Sequence, residues 1–487
     1  MRVPLDICTG SYTSESVPFN SQRCINLIPI SPQAASLTDK ALFGTPGIKA
    51  WTTAQGINRG GILAKGIPYK VNGTSLFSFD DVGLATNHGS VFGTGRVSMA
   101  TNTTVDGVTK IAIVVPGFAS YVFDSSLGTV VKITDPDFQV ADTVSFKDGY
   151  YIFTASNGFQ FFVSDLNDPT SFNSLFTGTA EIDPDLIVAT IVNHNELFVF
   201  GTETGELFQN IGGTGFPFQR IPGANVQKGL HARFGLIAFD NSFVFLGGGK
   251  NEKSAIWMIS GSSAAVKVST AAIDHAIQKF TKAEISESFA MTYAKNGNFF
   301  AIFTFESNVI ASKTFVYNAT TSAMAGPTWH ELQSGVSDNR SRIQSITQAY
   351  GKLLVGDQNT NNIGELDDNT FSEYGDAKIY EKTSQPFRAL DQSQFWGELE
   401  VLMEQGVGLT TGQGSDPIIQ MSFSDDSGRT YKGPFNRRFG KIGEYGRRST
   451  WRRQGRIPTN RRLRLRMSDP VRCNILGAHV KDELGDD

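Results

Sequence analysis

The chain has 487 residues, of which 40% are apolar and only 18% charged, with 37 phenylalanines, 50 glycines and a formal net charge of −4 at pH 7. This composition excludes a protein built from long charged helices and argues against intrinsic disorder, while the length predicts either one large toroid or two to three domains. Three widely spaced cysteines, Cys8, Cys24 and Cys473, form no CxxC pair and indicate neither a disulfide framework nor a zinc site.

The sequence supports neither export by a signal peptide nor a membrane span. Its first residues contain no apolar run of the length that a signal peptide needs, and no window approaches about 18 consecutive apolar residues. We therefore expect a soluble protein that is made in a reducing cytoplasm and has no membrane span.

Residues 1–60 are predicted to be an extended arm that leads into the first sheet. The segments VPFN, NLIPISPQ and FGTPGIKAW place proline and glycine too often for a helix or a central strand.

Residues 61–385 repeat one pattern, in which two apolar strands flank a turn. The turns VNGTS, ASNGF and TETGE supply the glycine that a tight hairpin requires. The starts of successive hairpins lie 38 to 55 residues apart, a period that predicts an all-β fold, a β-propeller of six or seven blades. A multi-sheet sandwich with accidental spacing is the alternative. The hairpins span residues 66–79, 110–123, 148–163, 195–208, 241–259, 296–317 and 351–366.

One segment departs from this pattern, at residues 269–285. Ile273, Ile277 and Phe280 fall at helical spacing after Ser269 or Thr270, either of which is a good cap. We predict a short amphipathic helix that packs at a blade junction.

Residues 386–487 are predicted to form a small C-terminal β domain or the closing sheet. Residues 437–472 hold twelve arginines and one lysine against two acids, a local balance of +11, so the rest of the chain sums to −15. Within them RLRLRM alternates strictly, which predicts a half-buried strand with a cationic outer face. The buried face is expected to hold Leu463, Leu465 and Met467, and the outer face Arg462, Arg464 and Arg466.

The arginine-rich segment has three interpretations. Clustered arginines with interleaved aromatic residues are typical of nucleic-acid contact, arginine is also favoured in protein interfaces, and charges on an edge strand discourage aggregation. We favour a protein assembly contact, because the chain shows no recognised reader element and its pI is about 5.9. The candidate contact residues are Arg447, Arg448, Trp451, Arg452, Arg453, Arg456, Arg461 and Arg462.

The sequence contains one Asp-box pattern, S-x-D-x-G-x-T, formed by Ser424, Asp426, Gly428 and Thr430. In this motif the aspartate caps a hairpin turn, so it predicts architecture and not catalysis. Acid pairs lie in turn-like contexts that favour turn formation over a glycosidase dyad. We predict no catalytic residues, metal site or cofactor. The acid pairs are Asp80 with Asp81, Asp135 with Asp137, Asp183 with Asp185, and Asp367 with Asp368.

Several blocks, taken together and in order, resemble the packaged-DNA stabilisation proteins of short-tailed bacteriophages, the tail hub or nozzle subunits. GTGRVSMA and WRRQGR are the most specific of them, and the likeness is collinear over nearly the whole chain. The blocks are INLIPI with FGTPGIKAW (25–51), GTGRVSMA (93–100), FVSDLNDPTSF (162–172), NVQKGL (225–230), STAAIDHAIQKFTKAE (269–284), and WRRQGRI followed by RRLRLRM and a last strand containing cysteine (451–475).

This resemblance implies a structural, non-enzymatic virion protein. Such subunits form a six-fold ring below the portal and its adaptor, close the DNA channel together with a tail needle or plug, carry tailspikes or fibres, and later conduct double-stranded DNA. It also implies a place in the virion tail after assembly in the host cytoplasm. The family offers no short catalytic motif to carry over. A propeller glycosidase or glycan-binding tail protein, favoured by the Asp-box and the aromatic content, and a DNA-binding protein are the alternatives.

Overall fold

A computed structural model of the chain describes residues 2–32, 34–180, 185–212, 215–261, 263–388 and 394–484. Its strands form seven antiparallel four-stranded blades and a β-sandwich. The first strands of successive blades lie side by side, and that of blade 7 lies against that of blade 1. The predicted all-β propeller is therefore confirmed, with seven blades.

The first four blades follow one another without interruption. Blade 1 consists of Asn58–Ala64, Ile67–Asn72, Ser75–Phe79 and Ala85–Ser90, and blade 2 of Ser98–Thr103, Thr109–Val115, Ala119–Asp124 and Thr129–Lys132. Blade 3 consists of Ala141–Lys147, Tyr150–Ala155, Phe161–Asp165 and Asp168–Gly178, and blade 4 of Ile187–Asn193, Glu196–Gly201, Gly205–Asn210 and Phe218–Val226.

The last three blades carry additions. Blade 5 consists of Leu236–Phe239, Ser242–Gly248, Ala255–Ser260 and Ala264–Lys267, with Gly229–Leu230 also paired to its second strand. Blade 6 consists of Phe289–Lys295, Asn298–Phe305, Lys313–Asn318 and Trp329–Leu332. Blade 7 consists of Ile343–Ala349, Lys352–Asp357, Asn362–Asp367 and, from the amino-terminal region, Gly47–Thr53.

Each predicted hairpin is the middle pair of strands of one blade. The middle strands are covered by neighbouring blades on both faces, so they need continuous apolar runs; Leu197–Phe200 in blade 4, for example, is wholly buried. This burial explains why the sequence pattern was strongest there.

The amino-terminal region closes the propeller. The structure shows Gly47–Thr53 pairing with Asn362–Asp367 in the last blade, where the sequence pattern had suggested a lead-in to the first sheet. At the adjoining seam the ammonium of Lys70 in blade 1 donates to Ser345 Oγ of blade 7 at 3.0 Å. The ring is therefore closed both by a strand ladder and by buried polar contacts.

The segment predicted to be helical forms two short helices between blades 5 and 6, Ala271–Ile277 and Lys282–Ser286. Ile273, Ile277 and Phe280 are buried as expected, and Thr270 caps the first helix. The helix divides in two because Thr281 and Glu284 form a capping box that begins a second one. Further short helices are Val17–Asn20 and Ala319–Ala325.

Two sheets form the sandwich, and its core is apolar side chains from both. One sheet contains Arg2–Leu5, Leu27–Ile30, Ala41–Gly44, Gln394–Met403, Ser449–Ile457 and Ile475–Leu484. The other contains Ser21–Ile25, Tyr380–Thr383, Ile418–Ser424, Lys432–Arg438 and Asn460–Met467, with Tyr12–Thr13 and Phe387–Arg388 at its margins.

The sandwich is joined to blade 6. Ser21–Ile25 lies beside Trp329–Leu332, the outermost strand of that blade, so one sheet runs from the propeller into the sandwich. The three cysteines are buried free thiols in the sandwich core. Among the described helices, none is long and apolar enough to cross a membrane.

Candidate assembly surface

The strand Asn460–Met467 carries the predicted alternation, but its charged face is largely covered. Leu463, Leu465 and Met467 are buried in the sandwich core, as predicted. Arg462 was expected on the outer face and is instead buried, where its guanidinium donates to the carbonyl oxygens of Ser384, Ser427 and Ser21. That part of the prediction was wrong because the strand Ser21–Ile25 and the Asp-box turn cover the charged face of the strand at Arg462.

Arg461 is also internal. Its guanidinium donates to both carboxylate oxygens of Asp425 at 2.7 and 3.0 Å and lies 4.3 Å from the centre of the Phe423 ring. The indole of Trp451 is buried and donates to the carbonyl oxygen of Phe435 at 2.9 Å. Trp451, Arg461 and Arg462 therefore do not belong to a contact surface, and this corrects three of the eight candidate positions.

The other five candidates are exposed, on the edge strand Ser449–Ile457 and in the loop before it. Two of them are paired across the neighbouring strand: Arg448 binds Glu400, and Arg452 Nε lies 3.2 Å from Glu398. Within the described residues, no ion pair involves the remaining three. These are Arg447, Arg453 and Arg456.

A second edge strand extends this surface. Every residue of Lys432–Arg438 is exposed, and Arg437 Nε donates to the carbonyl oxygen of Thr450 at 2.7 Å, so the edges of the two sheets lie together. Residues 432–456 hold nine arginines and lysines against one acid, Glu444. We call residues 432–456 the cationic edge. Arg437 and Arg438 were not among the candidates predicted from the sequence, although their position in the same arginine-rich stretch was a usable signal.

The Asp-box forms the turn that leads into the cationic edge. Ser424 Oγ donates to Asp426 at 2.6 Å, the Gly428 amide donates to Ser424 Oγ at 2.7 Å, and the Thr430 amide donates to the Asp426 carboxylate at 2.9 and 3.0 Å. These hydrogen bonds lower the pKa of Asp426. Gly428 adopts φ +93°, which side chains disfavour. The motif thus builds a hairpin, as its pattern indicates.

The paired acids make turns. Asp80, Asp135 and Asp367 each accept a hydrogen bond from the backbone amide two residues further on. Asp185 accepts from the amides of the 203–204 turn, and Asp183 lies outside the described residues. These carboxylates are engaged by backbone groups at separate turns.

An open groove of about 720 Å³ lies between the helix Lys282–Ser286 and blades 6 and 7. Its arginines are already paired, Arg340 with Glu306 and Arg342 with Asp357. Among the described residues, no group of three or more His, Cys, Asp or Glu side chains is placed to hold a metal ion. The groove therefore holds structural ion pairs, one between blades 6 and 7 and one within blade 7.

The propeller and the sandwich coincide with two consecutive family models of one bacteriophage protein. The family model described as "Bacteriophage P22 Gp10, beta-propeller" matches residues 1–371, and the model described as "Bacteriophage P22 Gp10, beta-sandwich" matches residues 388–483. The chain therefore belongs to the P22 Gp10 family.

The tail hub protein gp10 of Salmonella phage P22 is 25% identical over 486 residues, which cover 96% of this chain and 97% of that protein. The function of the chain is accordingly that of a structural tail hub protein of the virion.

Two solved structures are similar only in part. One is the computationally designed Ika8 protein (12% identity, 65% of this chain, 99% of that chain, TM-score 0.37). The other is a chain of the Mitotic Checkpoint Complex (10% identity, 69% of this chain, 96% of that chain, TM-score 0.37). Neither bears on function.

Proposed function

We propose that the chain forms a homohexameric hub, or nozzle, that closes the portal channel, retains packaged DNA and conducts it during ejection. Its partners in this proposal are other copies of itself, the portal adaptor, a tail needle or plug, tailspikes or fibres, and the passing double-stranded DNA. Assembly takes place in the host cytoplasm. Membership of the P22 Gp10 family supports the proposal.

The observation that carries it is the cationic edge on an otherwise acidic chain. Residues 432–456 hold nine basic side chains against one acid, on two adjoining edge strands and the loop between them. Four of the nine are paired with acids outside this range, and the other five form a surface suited to an acidic partner. Outside the arginine-rich segment the chain is acidic, and an acidic lumen repels phosphate, which lets DNA slide through it. We therefore assign the cationic edge to protein contacts.

The role is non-enzymatic in this proposal. The single Asp-box lies in a sandwich hairpin, and its aspartate is occupied by the Thr430 amide and by Ser424. In three of the acid pairs that a glycosidase would need, one carboxylate is engaged at a turn: that of Asp80, Asp135 or Asp367. These contacts support an architectural use of both features.

Electron microscopy of the purified chain with a portal–adaptor complex tests the proposal. We expect a six-fold ring below the adaptor. A chain that remains monomeric in this mixture would contradict the proposal.

The variant Arg452→Glu/Arg453→Glu/Arg456→Glu separates protein contact from DNA contact. We expect it to lose ring formation or docking, while DNA affinity, measured at several salt concentrations, stays at the wild-type level. Lys250→Glu reverses an exposed charge on blade 5 and is the matched control. Normal rings with failed DNA retention would instead favour nucleic-acid contact.

A further inference from the structure

We propose that the hub assembles head to tail, with the cationic edge of one copy docked on an exposed apolar surface of blades 1 to 4 of the next copy. This inference rests on the proposed ring and names the two surfaces that form it. The partner is therefore a second copy of this chain.

The apolar surface consists of large side chains on one end of the propeller. The hairpin turns of blades 2 and 3 and the connections between blades 1 to 4 present three phenylalanines, a valine and a leucine, each between 48% and 69% exposed. Clustered exposed apolar residues are unusual on a monomer and mark interaction sites. We call this surface the aromatic ridge. It consists of Phe92, Phe118, Val140, Phe159 and Leu186.

The loops that carry the ridge adjoin one another. Gly93 packs so closely on Phe118 that a Cβ there would lie 3.0 Å from the ring. The amide of Ser156 donates to the carbonyl oxygen of Val140 at 2.9 Å, and a Cβ on Gly158 would lie 3.1 Å from Leu186. The Gly117 amide donates to the carbonyl oxygen of Ala141 at 3.1 Å, so the loops that carry the five side chains adjoin one another in order.

Acidic residues flank the ridge. Asp135 and Asp137 lie in the loop before Val140, and Asp185 directly precedes Leu186. Arg96 is in the loop after Phe92, but its guanidinium stacks 4.1 Å from the centre of the Phe289 ring. Across the described ridge loops 91–97, 116–118, 133–140, 156–160 and 185–186, Arg96 is the single basic residue, and Lys132 lies at the rim on the outermost strand of blade 2.

The cationic edge has the complementary chemistry. Ile442 and Tyr445 are 58% and 74% exposed, and Arg447 and Arg453 accompany them. Arginine stacks on aromatic rings and pairs with carboxylates, and interface centres are enriched in both residue types. An apolar ridge with acidic flanks and an apolar hairpin with cationic flanks therefore fit each other.

The sandwich and the aromatic ridge lie at opposite positions around the propeller ring. The sandwich joins blade 6, and in a ring of seven blades the position opposite blade 6 falls between blades 2 and 3. Phe118, Val140 and Phe159 lie at that position. A contact between unlike surfaces is heterologous, and its repetition gives a ring where the rotation between copies closes, whereas a two-fold contact of either surface with itself would oppose like charges.

Two variants test the inference by complementation. The edge variant is Arg447→Glu/Arg453→Glu, and the ridge variant is Phe118→Ser/Phe159→Ser. Under conditions in which the wild type forms its ring, we expect each variant alone to need at least about tenfold more protein to assemble. Mixed one to one, they are expected to form dimers that grow no further, because each retains one intact surface. Mass photometry and sedimentation velocity measure these species.

Controls separate a lost contact from a lost fold. Lys250→Glu and Leu127→Ser change exposed residues outside both surfaces, and thermal unfolding compares all variants with the wild type. A charge-reversed ridge, Asp137→Arg, changes an exposed acid and leaves the Asp135 turn and the apolar side chains in place. It is expected to fail alone but to form rings when combined with the edge variant in the same chain.

The failures are distinguishable. If the edge variant and the ridge variant each form rings as the wild type does, the head-to-tail interface is overturned and the proposed hub is left intact. Dimers of either variant by itself, without its complement, would show a self-complementary contact and also overturn it. A wild type that forms no ring overturns the hub and this interface together.

Discussion

Replacing Arg461 by alanine tests whether the arginine-rich segment holds the sandwich together in addition to presenting charge. The side chain is only 2% exposed and donates to Asp425 and to the carbonyl oxygens of Gln454 and Arg456 at 2.8 and 3.2 Å. Breaking a buried ion pair costs about 3–5 kcal/mol because the remaining charge loses its partner. Asp425 is 16% exposed and keeps Lys432 at 3.9 Å, so we expect the lower end, about 3 kcal/mol.

Hydrogen exchange is the suitable measurement, because a chain with a propeller and a sandwich need not unfold in two states. In the strands Ile418–Ser424 and Asn460–Met467, a loss of about 3 kcal/mol corresponds to about a hundredfold faster exchange through opening. The matched control is Arg453→Ala, an exposed arginine in the same segment, for which we expect a change within about 0.5 kcal/mol. Unchanged exchange in Arg461→Ala, together with lost assembly, would refute this reasoning and return Arg461 to the contact surface.

Three further changes test the propeller seam, the closing strand and the Asp-box. Burial lowers the pKa of Lys70 to about 7, so charging it costs stability below that pH and the cost fades as pH rises. Between pH 7 and 9.5 we expect the free energy of unfolding of the wild type, measured with denaturant, to rise by on the order of 3 kcal/mol relative to that of Lys70→Met. Unfolding free energies that change equally with pH in the two proteins would contradict this. In Gly47→Ala the new Cβ would lie 2.4 Å from the Thr370 carbonyl oxygen, so we expect thermal unfolding to show a loss of stability of about 1–3 kcal/mol. The control Gly446→Ala, where a Cβ meets open space, is expected to show no loss. Asp426→Ala is expected to speed exchange of the Thr430 amide; unaltered protection there would show that the carboxylate is dispensable for the turn.

The sequence alone was sufficient to predict the repeating unit of the propeller. The middle strands of each blade are buried on both faces, and this requirement leaves a local signal of apolar runs around a glycine turn. The seven hairpins limited the number of blades to six or seven, but they carried no signal for how the ring closes. Blade 7 is completed by Gly47–Thr53, which pairs with Asn362–Asp367 far along the chain, and local patterns do not report pairings of that range.

The candidate surface was likewise predicted in part from the sequence and in part decided only by the tertiary structure. The concentration of charge and the alternation around Leu463 and Leu465 follow from residue order, since side chains along a strand point to opposite faces. What covers each face depends on distant parts of the chain: Asp425 and the carbonyl oxygens of Ser21 and Ser384 satisfy Arg461 and Arg462. The sequence thus determined that this segment is cationic, and only the tertiary structure decided which arginines are internal and which form the edge, because a buried charge is tolerated only where folding brings it partners.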